Sequence, residues 1–251
     1  MSLILKIVTF LLTTTSVFAQ DVTADINMTD LQRDAFRAEV RAYLIDNPGV
    51  IMEAIAVLED RQEQAEATRD ETLAQINMNA LINDGVSFVG GNPEGDITII
   101  EFVDYRCGFC RRAHPEVAEL ITSDGNIRII TKEFPILGEQ SMLASQFAVA
   151  TMTVAGNEAY KMVSDALIVL QSDITPASLS SLASAFDLDT DAIFAEMQSD
   201  ATKAVLTNNR ALGDRMQITG TPTFIFGDQL VRGYINLTQM RQIVEQKRDG
   251  G

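Results

Sequence analysis

The chain has 251 residues, of which 46% are hydrophobic, and a formal net charge of −16. A chain of this length can bury a core without disulfide staples, so we expect either one large domain or one domain with an appendage. The negative charge argues against nucleic acid and anionic lipid surfaces as partners, because both repel an acidic protein.

Residues 1–19 have the pattern of a secretory signal. Lys6 precedes the apolar run Ile7–Leu12, and Val17-Phe18-Ala19 has the small-residue end at which such signals are cleaved. The apolar run is too short to span a bilayer. We therefore expect an exported protein in a compartment where disulfides persist.

Residues 20–82 are predicted to form an N-terminal helical segment. Thr29 or Asp30 can cap a first helix, and Asn47 followed by Pro48 is typical of the start of a second. The second helix begins with an apolar stripe, but its later residues are mostly charged or polar. The stripe consists of Ile51, Ala54, Ile55 and Leu58. It is too narrow to form its own core, so it must pack either on the rest of the chain or on other copies of itself.

Residues 83–251 show the order of elements of an α/β domain. Strands are predicted at residues 86–89, 97–103, 127–132, 223–226 and 229–232. A helix separates the second strand from the third, which gives a right-handed βαβ unit by default. Only helical patterns occur between about 138 and 217, and a helix capped by Asn236 ends the domain. This order predicts an α/β sheet interrupted by a helical insertion.

The two cysteines of the chain lie together as Cys107-Gly108-Phe109-Cys110, directly after the predicted strand at 97–103. A strand, a C-x-x-C and a helix form the context of a thiol–disulfide redox site. Cys107 should be the attacking thiolate, because the N–H groups and dipole of the helix N-terminus stabilise its charge. Cys110 should be the shielded resolving thiol, while Gly108 and Phe109 should tune the redox potential.

Half of a zinc site is the alternative use of a C-x-x-C. The chain has one histidine, His114, and no third cysteine, so a single subunit cannot supply four soft ligands. We therefore predict no metal site and no cofactor other than a redox-active disulfide between Cys107 and Cys110. His114 follows Cys110 by one helical turn, and we interpret it as a partly exposed helix residue rather than a base or a ligand.

Residues 83–251 resemble the DsbA-like branch of the thioredoxin fold, in which a helical domain is inserted between the βαβ and ββα halves. The motifs that carry the resemblance are the C-G-F-C site, Pro115, the run Lys132–Gly138 and the run Gly220–Thr223. The helical segment around Asn47–Ala54, with Gly91–Asp96 after it, is similar to the ScsC-like (suppressor of copper sensitivity) group. The resemblance implies a periplasmic thiol–disulfide oxidoreductase with an N-terminal segment that can serve oligomerisation.

The resemblance also implies roles for residues around the cysteines. Glu101 matches a carboxylate buried beneath the active site, and Lys132 on the neighbouring strand matches its basic partner. Such a pair can carry protons to and from Cys110. Asp104 is a competing candidate, less favoured because we expect it at the exposed end of its strand.

Thr221 and Pro222 match the substrate-binding turn of the family. Their peptide bond is expected to be cis, which an X–Pro bond permits at little cost. The exposed backbone of Thr221 can then pair with an extended substrate chain. An ordinary proline at the start of a strand is the alternative.

These expectations indicate an exported enzyme that acts on protein disulfides, as an isomerase or reductase if the N-terminal segment forms an oligomer. If the protein is a monomer, the alternative is a DsbA-like oxidase. A second alternative is a non-enzymatic, copper-binding envelope protein, because thiolates and thioethers suit Cu(I). The expected partners are exported cysteine-containing proteins, a membrane redox partner and further copies of the chain, with no nucleic acid.

Overall fold

The computed structural model of this protein describes residues 28–250, so the predicted secretory signal at 1–19 lies outside the described residues. The chain divides into two compact units, of which the first ends at Leu58 and the second begins at Glu59. Within residues 28–250, no helix has the length and the apolar character needed to cross a membrane.

Residues 28–250 form eight helices and five strands. The helices are α1 (Asp30–Asp46), α2 (Gly49–Ile82), α3 (Gly108–Asp124), α4 (Glu139–Val169), α5 (Pro176–Ala185), α6 (Thr190–Glu196), α7 (Asp200–Arg215) and α8 (Leu237–Asp249). The strands are β1 (Phe88–Gly91), β2 (Ile97–Val103), β3 (Ile127–Glu133), β4 (Thr223–Phe226) and β5 (Gln229–Arg232). Helix α4 is broken at Gly156, whose φ of 85° lies in the region that favours glycine.

The five strands form one mixed sheet in the order β1-β3-β2-β4-β5. Strands β2 and β3 are parallel, and α3 connects them along the chain. Strands β1, β4 and β5 run antiparallel to their neighbours. Helices α4 to α7 lie between β3 and β4, in the interval where the sequence predicts a helical insertion. The arrangement confirms a thioredoxin-like α/β fold.

Each face of the sheet has its own apolar core. Helices α3 and α8 cover the face that carries Ile97 and Ile99, whereas the end of α2 and the end of α7 cover the face that carries Ile100 and Phe102. A third core joins the helical insertion to the end of β2 and to both cysteines. Because side chains alternate along a strand, Glu101 belongs to the α3 face.

One predicted strand is displaced in the structure. The sequence places the first strand at 86–89, but β1 starts at Phe88. Asp84 explains the difference, because its Oδ1 accepts hydrogen bonds from the backbone N–H groups of Val86 and Ser87, both at 3.1 Å. These two residues form an Asx turn instead of joining the sheet.

The first unit consists of α1 and the start of α2. Thr29 caps α1 in a capping box with Gln32, as predicted. Asn47 was predicted to cap α2, but its side-chain Nδ2 donates to the Tyr43 carbonyl at 3.0 Å and so serves the end of α1. No residue of α1 is buried, and most of the large apolar side chains of this unit are exposed, although Leu44 is half-buried.

The second unit includes the remainder of α2. Ala74 and Leu81 are fully buried in the core beneath the sheet, and Asp70 forms an ion pair with Arg232 of β5. This part of α2 thus packs on the α/β domain, although its sequence is mainly polar. The sequence predicts that the N-terminal segment ends at residue 82, whereas the boundary between the compact units lies between Leu58 and Glu59.

Candidate functional site

Both cysteines lie at the N-terminus of α3. Cys107 is the N-cap residue and is 7% exposed, while Cys110 lies one turn inside the helix and is fully buried. Both carry free thiols in this structure. The arrangement places one sulfur at the rim of the site and the second behind it, as the sequence predicts.

The two thiols have opposite pKa shifts. The pKa of Cys107 falls to about 5, mainly because the Cys110 thiol donates a hydrogen bond to its sulfur, with the backbone N–H groups of Phe109 and Cys110 adding to the effect. The same hydrogen bond, together with burial, raises the pKa of Cys110 far above that of an ordinary thiol. At neutral pH Cys107 is therefore a thiolate and Cys110 is protonated.

Thr221 and Pro222 lie directly opposite Cys107. Their peptide bond is cis, as expected, and Cys107 Sγ is 3.0 Å from the Thr221 carbonyl oxygen. Thr223 begins β4, and its Oγ1 donates to the Gly220 carbonyl at 2.8 Å, which closes the turn. An extended chain that reaches the sulfur therefore also reaches this backbone.

The dipeptide between the cysteines is open to solvent. Phe109 is 60% exposed, and the space around the Gly108 Cα is open, so a larger side chain would fit at that position. Neither residue is fixed by packing, which is consistent with the predicted role in tuning the redox potential.

Glu101 of β2 is buried under the cysteines. Burial raises its pKa to about 7, and the nearby Glu133 carboxylate adds to the shift. Its side chain and Cys110 line the same small cavity. A carboxyl group that titrates near neutral pH next to a buried thiol can accept and return a proton.

Lys132 does not accompany Glu101. In the parallel register Glu101 is paired with Thr131, so Lys132 points to the opposite face of the sheet. There its ammonium group is fully buried and contacts Asp84 Oδ2 at 2.6 Å and the Ala80 carbonyl at 3.1 Å. The expected pairing of Lys132 with Glu101 is therefore wrong.

Asp104 is fully buried, so its expected position at an exposed strand end is also wrong. Its carboxylate accepts hydrogen bonds from the backbone N–H groups of Arg106, Ile136 and Leu137 at 2.8–3.0 Å. These contacts hold the loop before Cys107 against the loop after β3. Asp104 thus shapes the site, while Glu101 faces the buried thiol.

Glu133 is a second buried carboxylate of the site, and it was not predicted from the sequence. Its Oε1 accepts hydrogen bonds from Tyr105 and Tyr160, both at 2.6 Å, and its Oε2 accepts one from Ser145 at 2.7 Å. Burial raises its pKa to about 7 despite these donors. Alternation along β3 would have placed it on the same face as Glu101, but its hydroxyl partners come from distant parts of the chain.

His114 is half-buried on α3, and its Nε2 lies 3.2 Å from Asp165 Oδ1 of α4. Desolvation lowers the pKa of His114, against the opposing effect of Asp165. The expectation of partial exposure is confirmed, but the contact between the two helices was not foreseen.

Within residues 28–250 no cluster of three or more His, Cys, Asp or Glu side chains is arranged to hold a metal ion. The site presents a thiolate, a shielded thiol and a buried carboxyl group.

Two family models match the chain. One, described as thioredoxin, covers residues 83–246, and the other, described as the N-terminal domain of the copper resistance protein ScsC, covers residues 32–65. The first contains the cysteines, Glu101 and the cis peptide bond. The second covers most of α1 and the first half of α2.

Solved structures share the fold. A thioredoxin-like oxidoreductase from Silicibacter pomeroyi is 34% identical, with a TM-score of 0.64 over 68% of this chain and 97% of that one. ScsC from Proteus mirabilis in a transitional conformation is 24% identical, with a TM-score of 0.65 over 89% of this chain and 100% of that one. The latter likeness extends over the N-terminal helices.

Curated relatives match part of the chain. The Na⁺/H⁺ antiporter NhaA 1 of Salinispora arenicola is 31% identical over 158 residues, which are 62% of this chain and 24% of that protein. This chain thus spans about a quarter of that relative. Disulfide bond formation protein D of Bacillus subtilis is 21% identical over 177 residues, which are 64% of this chain and 76% of that protein.

Proposed function

Because this chain belongs to the thioredoxin-like family of ScsC- and DsbA-like thiol–disulfide oxidoreductases, we propose that it exchanges disulfides with exported proteins through Cys107 and Cys110. The observation that carries the proposal is the position of the Cys107 sulfur, 3.0 Å from the Thr221 carbonyl and at the N-terminus of α3. A substrate strand that pairs with this backbone would present its disulfide to the thiolate.

The first step is attack by the Cys107 thiolate on a substrate disulfide. A bond forms between Cys107 Sγ and one substrate sulfur, the substrate S–S bond breaks, and the second substrate sulfur leaves as a thiolate that takes a proton from water. The low pKa of Cys107 supplies the thiolate at neutral pH.

The second step releases the substrate. The Cys110 thiol gives its proton to Glu101, the resulting thiolate attacks Cys107 Sγ, and the bond between Cys107 and the substrate breaks. The products are a Cys107–Cys110 disulfide and a reduced substrate. In isomerisation a thiol of the substrate itself attacks the mixed disulfide and regenerates the Cys107 thiolate.

We favour isomerase or reductase activity because the N-terminal unit offers a surface for self-association. Its exposed apolar side chains include Phe36, Val40, Ile51, Ile55 and Leu58. A second copy of this unit is the occupant we propose, since two amphipathic helices of equal pattern can pair through such faces. Clustered active sites would retain a misfolded substrate and hinder access by an oxidising partner.

The proposed location is the periplasm, with a membrane protein as the redox partner. A structural relative from Salmonella enterica is described as a periplasmic thioredoxin-like protein. The signal pattern of residues 1–19 supports export of this chain as well. No role with nucleic acid is proposed, because the net charge of −16 opposes it.

The experiment is turnover of a scrambled disulfide-bonded protein under reductant, with a separate assay for simple reduction. Cys107→Ser should abolish both reactions, and Cys110→Ser should accumulate the mixed disulfide because the resolving thiol is absent. Net oxidation of a dithiol substrate by the disulfide form, without isomerisation, would favour the oxidase alternative. Equal turnover by the wild type and Cys107→Ser would contradict the proposal.

Copper binding remains the non-enzymatic alternative. If it were the function, Cu(I) would bind the two thiolates with high affinity, and disulfide turnover by the metal-free protein would be absent. Measuring turnover in the presence of a copper chelator separates the two classes.

A further inference from the structure

A small cavity lies behind the active-site cysteines, between the sheet and helices α3 and α4. It has a volume of about 60 Å³, and Glu101, Cys110, His114, Ser164 and Asp165 are among its lining residues. One water needs about 10–15 Å³ of such space, so the cavity has room for a few water molecules and none for a substrate. A water-sized space that joins a buried carboxyl group to other polar groups is suited to proton movement.

The Glu101 carboxyl is a lining group of this space. Among the described residues, burial and the charge of Glu133 act on it, and no protein hydrogen bond contributes to its pKa. The Glu133 carboxylate, in contrast, accepts hydrogen bonds from three hydroxyl groups. The cavity thus offers a path by which a proton taken up by Glu101 can leave.

The other end of the cavity carries His114 and Asp165. His114 follows Cys110 by one turn of α3, so both side chains lie on the same face of the helix. The His114 and Asp165 side chains are 30% and 41% exposed, with Nε2 and Oδ1 3.2 Å apart. The pair thus contacts both the cavity and bulk solvent. Lys161 is ion-paired with Asp165 at the surface.

We propose that His114 and Asp165 form a relay that carries protons between Glu101 and solvent while the mixed disulfide is resolved. This inference rests on the proposed function of Glu101 as the base for Cys110.

Resolution of the mixed disulfide with this proton transfer needs no further reactant. Cys110 gives its proton to Glu101, its thiolate forms the bond to Cys107 Sγ, and the substrate sulfur leaves with the electron pair of the broken S–S bond. Glu101 then passes the proton through cavity water to the imidazole, and the imidazole releases a proton towards Asp165 and solvent. In the reductive direction the same groups return a proton to Cys110.

The charges around the cavity are compatible with this transfer. The titratable or charged groups that face Glu101 are Cys110 and His114 from α3, Tyr105 from the loop before α3, Glu133 from β3, and Tyr160, Lys161 and Asp165 from α4. Desolvation lowers the pKa of His114, so its imidazole is neutral at pH 7 and can both accept and donate a proton. The pKa of Glu101 at about 7 lets its carboxyl group take up and release a proton near neutral pH.

The test is rapid-mixing measurement of the two half-steps in His114→Ala between pH 5.5 and 8.5. We expect resolution to slow about tenfold near pH 7, less than the 10²–10⁴-fold typical of losing a general base, because water still serves part of the path. Formation of the mixed disulfide should be unchanged, and added imidazole should restore the rate of resolution. Asp165→Asn should show a smaller slowing.

Two variants provide the controls. Glu158→Gln removes a carboxylate from an exposed position of the same helix α4 and should leave both steps unchanged. His114→Gln keeps a polar side chain but leaves no space for imidazole, so it should be slow and not rescued. Thermal melts of each variant verify that the fold is retained.

The outcome separates this inference from the one on which it rests. If Glu101→Gln slows resolution while His114→Ala does not, the relay is wrong and the role of Glu101 stands. Slowing in His114→Ala that is independent of pH and not rescued by imidazole would also overturn the relay, since it would indicate a structural role. If Glu101→Gln has no effect, the proton step of the proposed function fails as well.

Discussion

The Sγ of Cys107 lies 3.0 Å from the carbonyl oxygen of Thr221, across the cleft between α3 and β4. This contact joins the nucleophile to the backbone that would hold a substrate strand. Cys110 sits behind it, fully buried, and stabilises the Cys107 thiolate through a hydrogen bond. We therefore propose that attack and substrate recognition take place at this contact and that proton exchange takes place on the buried side.

The first prediction concerns the titration of Cys107. Its alkylation rate should rise with a midpoint near pH 5, because the thiolate accepts hydrogen bonds from Cys110 and from the start of α3. Cys110 should not react at any pH up to 9, since burial and its hydrogen bond keep it protonated. Mass spectrometry of the alkylated peptides gives both rates.

A matched pair of variants tests the cause of that shift. Cys110→Ala removes the hydrogen-bond donor and should move the Cys107 midpoint upward, whereas Cys110→Ser keeps a hydroxyl donor and should move it less. If both variants retain a midpoint near 5, the helix N-terminus alone sets the pKa, and the hydrogen bond from Cys110 is unimportant.

The second prediction is that Lys132 is structural. Lys132→Met leaves Asp84 without its partner, and because Asp84 is partly exposed we expect a loss of about 1–3 kcal/mol in the free energy of unfolding, below the 3–5 kcal/mol typical of a fully buried pair. The pH profile of disulfide resolution should not change. Denaturant unfolding and single-turnover kinetics check the two parts.

Asp84→Asn is the partner control for Lys132→Met. It should destabilise the protein as well, and the double variant should lose less than the sum of the two single losses, because the residues interact directly. A change in the midpoint of the resolution profile in Lys132→Met would show that the lysine does act on Glu101 through the sheet.

The third prediction is a pH dependence of stability that originates in Glu133. Burial raises its pKa from 4.5 to about 7, so between these values the unfolded chain loses a proton that the folded chain keeps. Stability from this group is fully present below pH 4.5 and declines as the pH rises to 7, by up to about 3 kcal/mol at 1.4 kcal/mol per pKa unit. His114, with a lowered pKa, has the opposite effect in this window.

The difference between the wild type and Glu133→Gln isolates the carboxyl group. The unfolding free energy of the variant should depend less on pH between 4.5 and 7, and the resolution profile should move to lower pH because Glu101 loses a negative neighbour. Equal pH dependence in both proteins would contradict a raised pKa for Glu133.

The strands could be predicted because their apolar residues show directly in the sequence. Strands β2, β4 and β5 have the predicted bounds, since each is a short apolar run between turn residues. The partner of Lys132 could not be predicted, because Asp84 reaches it from a turn outside the sheet. The register that pairs Glu101 with Thr131, and so puts Lys132 on the opposite face of the sheet, is likewise set by the folded sheet and not by the local pattern.

The environment of the site depends on tertiary contacts that local patterns do not contain. Glu133 is accommodated by hydroxyl groups from the loop before α3 and from two turns of α4. His114 meets Asp165 only because α4 folds back over α3. Periodicity gives the face of each helix, but not which side chain of another helix lies opposite.

The fourth prediction is that residues 28–58 hold the protein in an oligomer. The first unit exposes Phe36, Val40, Ile51 and Ile55, and none of the residues of α1 is buried within the chain. Light scattering should give a multiple of the chain mass for the full mature protein and the monomer mass for a chain that starts at Glu59. We choose Glu59 because the later part of α2 packs on the sheet and must be kept.

A double substitution tests the apolar face without a deletion. Ile51→Asp with Ile55→Asp should dissociate the oligomer and reduce isomerisation, while simple reduction of a small disulfide continues, because the Cys107 site is unchanged. Gln64→Asp adds one negative charge to an exposed position of the same helix, on a face away from the apolar stripe, and should leave the oligomer intact. A monomer for the full chain would contradict the proposed self-association, and it would make a DsbA-like oxidase or reductase the better assignment, since a single site has no neighbour that restricts an oxidising partner.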